Sequence, residues 1–320
     1  MSNLHPARVI VSRTDAIGDV VLTLPVCAAI KKASPQTRVM FLGSPYTAPV
    51  VGACRWVDEA LLWPGVLPAA DAIIHVFPRK EIARAAAAIP LRVGAYSRLF
   101  HWTTCNRLVR LHRKNSPLHE LELNLKLLKP LFPGAQEAVL PDDYGLEARG
   151  TLPPDFRRDL ESYTGGRPVV LIHPKSKGSA REWPAAHWRE LCRILTDRGC
   201  APVITGTAAD KEAFVGEAGG DFFFAAGRTD LHGLMRLIAE SEGVIAASTG
   251  PLHLSAALGR KALGLYPPIR PMHPGRWAPR GPRAKALSLN IACSLCRRNA
   301  PCRCMQALEA AQVAEEWSGL

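Results

Sequence analysis

Short apolar runs separated by helix-period stretches occur twice along this chain, and that repetition restricts its fold more than any other feature. RVIVSR (8–13), RVMFLG (38–43), AIIHVF (72–77) and LRVGAY (91–96) read as buried strands, with helices predicted at 19–33, 79–89 and 118–130. The pattern starts again with PVVLIHP (168–174), APVITG (201–206), DFFFAA (221–226), residues 243–247 and KALGLY (261–266) as strands. Helices are predicted between them at 184–198, 208–218, 230–240 and 251–258, and a closing one over Cys302–Trp317. Strands that alternate with helices are joined by crossovers into parallel sheets covered on both faces. A chain of 320 residues exceeds one ordinary core, and residues 132–168 are rich in Pro, Gly and Asp, as a joint would be. The expected architecture is α/β with two Rossmann-like domains, 1–160 and 161–320, the last helix packing back on the first domain. Ligands of such sheets bind beyond the carboxyl ends of the strands, so the loops that follow the strands are the ones to read.

Charge is spread unevenly. Nine Lys/Arg fall between Arg79 and Lys114 against one acid, Glu81. No Asp or Glu occurs from Gly243 to Leu308, where ten Lys/Arg lie between Arg260 and Arg303. Either polyanionic partners or a generally Arg-rich habit produces such a distribution. Nucleic acid is disfavoured among the polyanions, because no nucleic-acid-binding motif is present and aromatics are not interleaved with the basic residues. The longest apolar stretch, Val20–Ile30, is too short to span a bilayer and contains Pro25. With no signal-peptide core at the start, a cytoplasmic protein, at most peripheral to a membrane, is expected. The nine cysteines, an odd number in a long chain, do not suggest a secreted disulfide scaffold.

The loops carry the chemistry. SRTDAIGDVVLTLP (12–25) sets Asp15 and Asp19 about Gly18, expected in a tight turn. A dinucleotide fingerprint needs three glycines where this loop has one, which argues against an NAD-dependent oxidoreductase. Asp19 reads either as the acceptor of a hydroxyl proton or as a first-turn acid favoured by the helix dipole. HPKSKGSAREWPAAHW (173–188) gathers Lys175, Ser176, Lys177 and Arg181 ahead of a helix opened by Trp183-Pro184. Cations there suit a departing diphosphate, or they belong to a solvated basic loop. GTAADKE (206–212) offers Asp210 to ribose hydroxyls or as an ordinary first-turn acid. In VIAASTGPLHLSAALG (244–259), backbone N–H groups at Thr249 and Gly250 open a helix stiffened by Pro251, with Ser248 before them and His253 one turn in. That is an anion site, and its histidine is either structural or a phosphate or sugar contact. CSLCRRNAPCRC (293–304) spaces Cys293, Cys296, Cys302 and Cys304 unlike a familiar zinc signature, leaving a structural metal, free thiols or a locally closed loop.

Taken in order, R-x-D-x-I-G-D-V-V-L-T-L-P, a W-P after a basic loop, and T-G-P-x-H-L-x-A-A-L-G resemble glycosyltransferase family 9, the ADP-heptose:lipopolysaccharide heptosyltransferases. The resemblance covers most of the chain. It implies a GT-B fold with two Rossmann-like domains facing a central cleft, and a metal-independent, inverting transfer with no cofactor beyond the nucleotide-sugar substrate, ADP-heptose. Asp19 would be the base and Arg181, where a lysine is common, the phosphate ligand. Asp210, where a glutamate is common, would contact the ribose, and Thr249, Gly250, Pro251 and His253 would cradle diphosphate and sugar. Lys175, Ser176 and Lys177 complete the expected donor set. Asp15, Gly18, Arg79, Lys80 and Arg113 are the expected acceptor side, facing the phosphates of a lipopolysaccharide core or anionic lipid of the inner membrane's cytoplasmic face. The family usually carries Asp where this chain has Ser248, at the position expected to hold sugar hydroxyls. A different nucleotide sugar is therefore the alternative expectation, and a nucleotide-sugar-binding protein of weakened catalysis the third.

Overall fold

The computed structural model describes residues 6–111, 113, 116–135, 141–176, 178, 180–218, 222–270, 272–291 and 302–320. Lys114, Lys177, Cys293 and Cys296 lie outside them. The chain divides into two compact units, Met1–Glu147 and Ala148–Leu320. In the first, β1 (Arg8–Ser12), β2 (Arg38–Gly43), β3 (Glu59–Leu62), β4 (Ala72–His75), β5 (Leu91–Ala95) and β6 (Arg107–Val109) form a sheet of order β3-β2-β1-β4-β5-β6. In the second, β7 (Val169–His173), β8 (Ala201–Ile204), β9 (Phe223–Phe224), β10 (Gly243–Ala247), β11 (Lys261–Leu265) and β12 (Ala284–Leu287) form a sheet of order β12-β11-β10-β7-β8-β9. Every pairing in both sheets is parallel. Each sheet grows one way for three strands and then returns to grow the other way. The reversal points lie between β1 and β4 and between β7 and β10, where a doubly wound sheet opens a crevice at its carboxyl edge. The α/β, doubly Rossmann-like architecture implied by the resemblance is the one the chain adopts.

Three local departures have physical causes. The single helix expected over 19–33 is two, Ile17–Val21 and Leu24–Ala33, because Pro25 takes the first turn of the second and has no N–H to continue the first. Gly18 is thus helical rather than in a tight turn. The Pro/Gly-rich joint contains a helix, Pro154–Thr164, started by Pro154 and stopped by Gly165 at φ 54°. That helix belongs to the second unit, where Phe156 and Tyr163 meet the ring of Phe223 at 6.1 and 4.7 Å, so the chain divides ahead of the expected 160/161 boundary. The last helix, Ala310–Ser318, is built into the second unit's own core: Val313, Ala314 and Trp317 cluster with Trp188, Leu191 and Leu195.

Asp230 accepts a 2.8 Å hydrogen bond from Gly233 N at the start of helix Leu231–Glu240. Asp230→Ala is expected to cost about 1 kcal/mol, read as a lowered urea midpoint with an unchanged slope. Among the described residues no helix is long and apolar enough to cross a membrane.

Candidate active site

The loop after β1 places a buried cation among three carboxylates. The Arg13 side chain is 4% exposed and its guanidinium reaches Asp15 at 2.7 Å, Glu120 at 3.2 Å and Asp19. Burial disfavours the Arg13 charge, but Asp19, Asp15 and Glu120 outweigh it and raise the pKa, so this arginine is charged at every working pH. Glu120, 2% exposed, opens helix Glu120–Leu125 and is shared with Arg113. Arg113 also donates to Asn124 Oδ1 at 3.1 Å and to the Val76 carbonyl at 3.2 Å. Asn124 in turn donates to the Leu22 carbonyl at 3.0 Å. Two cations and three carboxylates therefore share one desolvated cluster, fastened to β1, β4 and the Glu120 helix.

Asp19 is the member of that cluster suited to proton transfer. Its side chain is 20% exposed, and its carboxyl pKa is pushed up to about 6. Burial is the main cause, Arg13 opposes it, and the charges of Asp15 and Glu120 add to it. A carboxylate poised near neutrality, oriented by a fixed guanidinium and still touching solvent, is what general-base chemistry asks for. Asp15 is half-buried on the same guanidinium, and Gly18 is buried one residue before Asp19. After β4, Phe77 sits between two cations, with Arg13 5.7 Å and Arg79 5.4 Å from its ring centre. Arg79 caps helix Lys80–Ala85, and both Arg79 and Lys80 are exposed. Arg113, by contrast, is an internal strut.

Two residues at the centre of this site, Arg13 and Glu120, were not among the sequence candidates. Arg13 carried a signal, as a charge directly after the strand built on the apolar run Val9–Val11. Glu120 carried none that is local, since it meets Arg13 across 107 positions of sequence.

In the second unit the expected donor residues follow β7, β8 and β10. After β7, Glu182 Oε1 accepts from Ser176 N at 2.9 Å and from Ser176 Oγ at 3.2 Å, and Glu182 Oε2 from Lys175 Nζ at 3.4 Å. Lys175 also donates to both oxygens of Glu217 at 2.8 Å. Burial works against the Lys175 charge, and these two acids overcome it and raise its pKa. The Lys175 charge is thus balanced by Glu182 and Glu217, and Glu182 ties Lys175 to the Ser176 backbone. Half-buried Arg181 lies between buried Ala180 and Glu182. Trp183 is an anchor: its Nε1 donates to the Leu308 carbonyl at 2.9 Å and its ring meets Trp188 edge-on at 4.7 Å. Pro184 is the N-cap of helix Ala185–Asp197.

After β8, Asp210 Oδ2 accepts from Thr207 N and Oγ1, both at 2.8 Å, and Thr207 Oγ1 accepts from Asp210 N. This is a reciprocal cap, so Asp210 does what a first-turn acid does. After β10, Thr249 is the N-cap of helix Gly250–Ala257 with Pro251 in its first turn. Thr249 Oγ1 is buried without a hydrogen-bond partner among the described residues, and the first-turn N–H groups have no partner within the helix. His253 is buried one turn in. Ser248 hydrogen-bonds buried Tyr266, whose hydroxyl donates to the Trp277 carbonyl. The loops after β7 and β10 flank the reversal point of this sheet, as those after β1 and β4 flank the other.

Residues 85–305 match the profile of glycosyltransferase family 9 (heptosyltransferase). Lipopolysaccharide heptosyltransferase 1 of Escherichia coli K12 is 22% identical over 323 residues, covering 88% of this chain and 96% of that protein. Lipopolysaccharide heptosyltransferase 1 of Pseudomonas aeruginosa is 28% identical over 173 residues, 52% of this chain, and the match spans about half (46%) of that relative's length. The solved structure of E. coli heptosyltransferase WaaC with ADP superposes at a TM-score of 0.74, with 19% identity over 98% of this chain and 99% of that one.

Proposed function

Since the chain belongs to glycosyltransferase family 9, we propose that it moves heptose from ADP-heptose onto a lipopolysaccharide-core acceptor, with inversion and without a metal. The carrying observation is Asp19, half-buried on the Arg13 fork with its pKa raised to about 6. One Asp19 oxygen takes the acceptor hydroxyl proton as that hydroxyl oxygen bonds to the anomeric carbon. The bond from that carbon to the β-phosphate oxygen breaks, and ADP leaves. A single displacement of this kind inverts the anomeric centre. The departing diphosphate needs positive charge, and Arg181, Lys177 and the N–H groups that open helix Gly250–Ala257 supply it in place of a metal. Lys175 and Ser176 hold that loop through Glu182, Asp210 is assigned to the ribose, and Thr249, Pro251 and His253 line the diphosphate and sugar. Asp15, Gly18, Arg79 and Lys80 are assigned to the acceptor, with Arg113 acting through Glu120. The protein works on the cytoplasmic side, at the membrane that carries the acceptor.

Ser248 motivates a second reading, a different sugar on the same nucleotide-binding frame. A carboxylate there would face the Tyr266 hydroxyl, whereas Ser248 exchanges a neutral hydrogen bond with it. The two readings separate in thermal-shift titrations with ADP-heptose, other ADP-sugars and UDP-sugars. A ligand at 100 times its Kd adds about 2.7 kcal/mol to the folded state, so the true donor raises Tm by several degrees. ADP-heptose is expected to give the largest rise. A larger rise with another ADP-sugar selects the second reading, and no rise with any ADP-sugar overturns both. Binding without release of ADP in the presence of acceptor would identify a binding protein of weakened catalysis.

A further inference from the structure

From residue 82 to residue 119 the chain has no Asp or Glu, and part of that stretch turns large apolar side chains to solvent. Between β5 and β6, Leu99 is 82% exposed, Trp102 50% and Tyr96 39%. A lone exposed leucine means little, but these three share one turn. The Trp102 ring lies 4.7 Å from that of Tyr96, and Trp102 N donates to the Leu99 carbonyl at 3.1 Å. Trp102 Nε1 donates to the Tyr96 carbonyl at 2.8 Å. The indole's only donor is therefore used internally, and its exposed half offers carbon alone. Arg98 within this turn, Arg107 at the start of β6 and Arg110 just after it are exposed, and the Arg110 guanidinium stands 5.6 Å from the Tyr96 ring centre. Among the described residues none of the three arginines forms an ion pair.

We propose that the turn Tyr96–Trp102, with Arg98, Arg107 and Arg110, is a docking surface for an anionic lipid bilayer. A bilayer surface supplies both things this patch lacks, anions for the guanidinium groups and an apolar layer for Leu99 and Trp102. Tyr and Trp settle at headgroup depth and arginine stems reach outward to phosphate. A second copy of the chain fits less well. A two-fold interface through this turn would crowd the arginines of both copies together with no acid in the stretch to separate them. The inference draws only its purpose from the transferase reading, as a means of reaching a lipid-anchored acceptor. Vesicle binding uses neither donor nor acceptor, so its failure would leave that reading standing.

The test sediments the full-length protein with phosphatidylglycerol–phosphatidylcholine vesicles, with phosphatidylcholine vesicles, and without lipid, over a salt series. Wild type is expected to pellet with the anionic vesicles alone and to be released by salt. Leu99→Ser with Trp102→Ser is expected to weaken binding about tenfold or more. Arg98→Gln with Arg110→Gln is expected to weaken it about thirtyfold at low salt, about fivefold for each arginine. Quenching by brominated lipid is expected in wild type and lost in Trp102→Phe. Melting curves confirm that each variant is folded; all four side chains are exposed. The proposal is overturned if wild type stays in the supernatant, or if folded Leu99→Ser/Trp102→Ser pellets like wild type. It is equally overturned if light scattering shows a wild-type dimer that this variant abolishes, which would assign the turn to self-association.

Discussion

Asp19→Asn is expected to lower kcat by on the order of 100- to 10,000-fold while leaving the fold at least as stable as wild type. The loss follows from removing a solvent-touching carboxylate whose pKa is pushed up to about 6; the amide keeps the shape and the Arg13 contact but takes no proton. Wild-type kcat/KM should rise with pH through about 6 and level off above it, since the base works deprotonated. The stability sign runs the other way. A carboxyl whose folded-state pKa is raised from 3.8 to about 6 favours the fold when protonated, and that contribution is lost as pH rises through 6. Asp19→Asn should therefore gain on the order of 1–3 kcal/mol over wild type at pH 8, and the difference should shrink to nothing below pH 4. Urea unfolding at the two pH values measures it. Near-wild-type turnover, or a destabilised variant at pH 8, would remove Asp19 from the base role.

Glu120→Ala is expected to cost about 3–5 kcal/mol, the largest stability loss of any single change in the site. Glu120 is nearly fully buried between Arg13 and Arg113, and its removal leaves two guanidinium groups sharing two partly exposed aspartates. A fall in Tm of about 10 °C follows for a unit of this size. A purely structural role would stop there. Glu120 also raises the Asp19 pKa through its charge, so Glu120→Gln, which keeps the volume, should move the pH midpoint of kcat/KM below 6. Titrating kcat/KM against pH in Glu120→Gln tests this directly. An unmoved midpoint would reduce Glu120 to a packing residue.

How much of this could be read in the sequence depends on where each strand lies in its sheet. Seven of the eight interior strands, β1, β2, β4, β7, β8, β10 and β11, spell mostly apolar runs, as strands buried on both faces do, which is why they stand out, and β5 keeps a shorter buried run at Val93–Ala95. The strands that escaped prediction, β3, β6 and β12, are all edge strands. EALL, RLV and AKAL alternate or are exposed, so they lack the run that marks a buried strand. The fourth edge, β9, was legible because Phe223 and Phe224 pack on other aromatic rings. The loops of the site were legible for a related reason. Helix starts and strand ends are punctuated locally, so Asp19, Arg181 and Thr249 fall where strand–loop–helix grammar puts them. What joins them is not local. The Arg13–Glu120 contact and the Lys175–Glu217 pair span long stretches of chain, and no spacing rule announces either.

The shared strand order of the two sheets has a consequence for descent. Each unit repeats one winding rule, so either could arise by copying the other and then diverge on its own. The carboxylate cluster belongs wholly to residues before 147, and the Ser248–His253 segment wholly to those after 148. On the proposed transferase reading, change in the sugar recognised could therefore accumulate in one half of the gene without touching the half assigned to the acceptor. If that reading holds, an exchange of residues 148–320 between relatives is expected to pass on a sugar preference as a single heritable block.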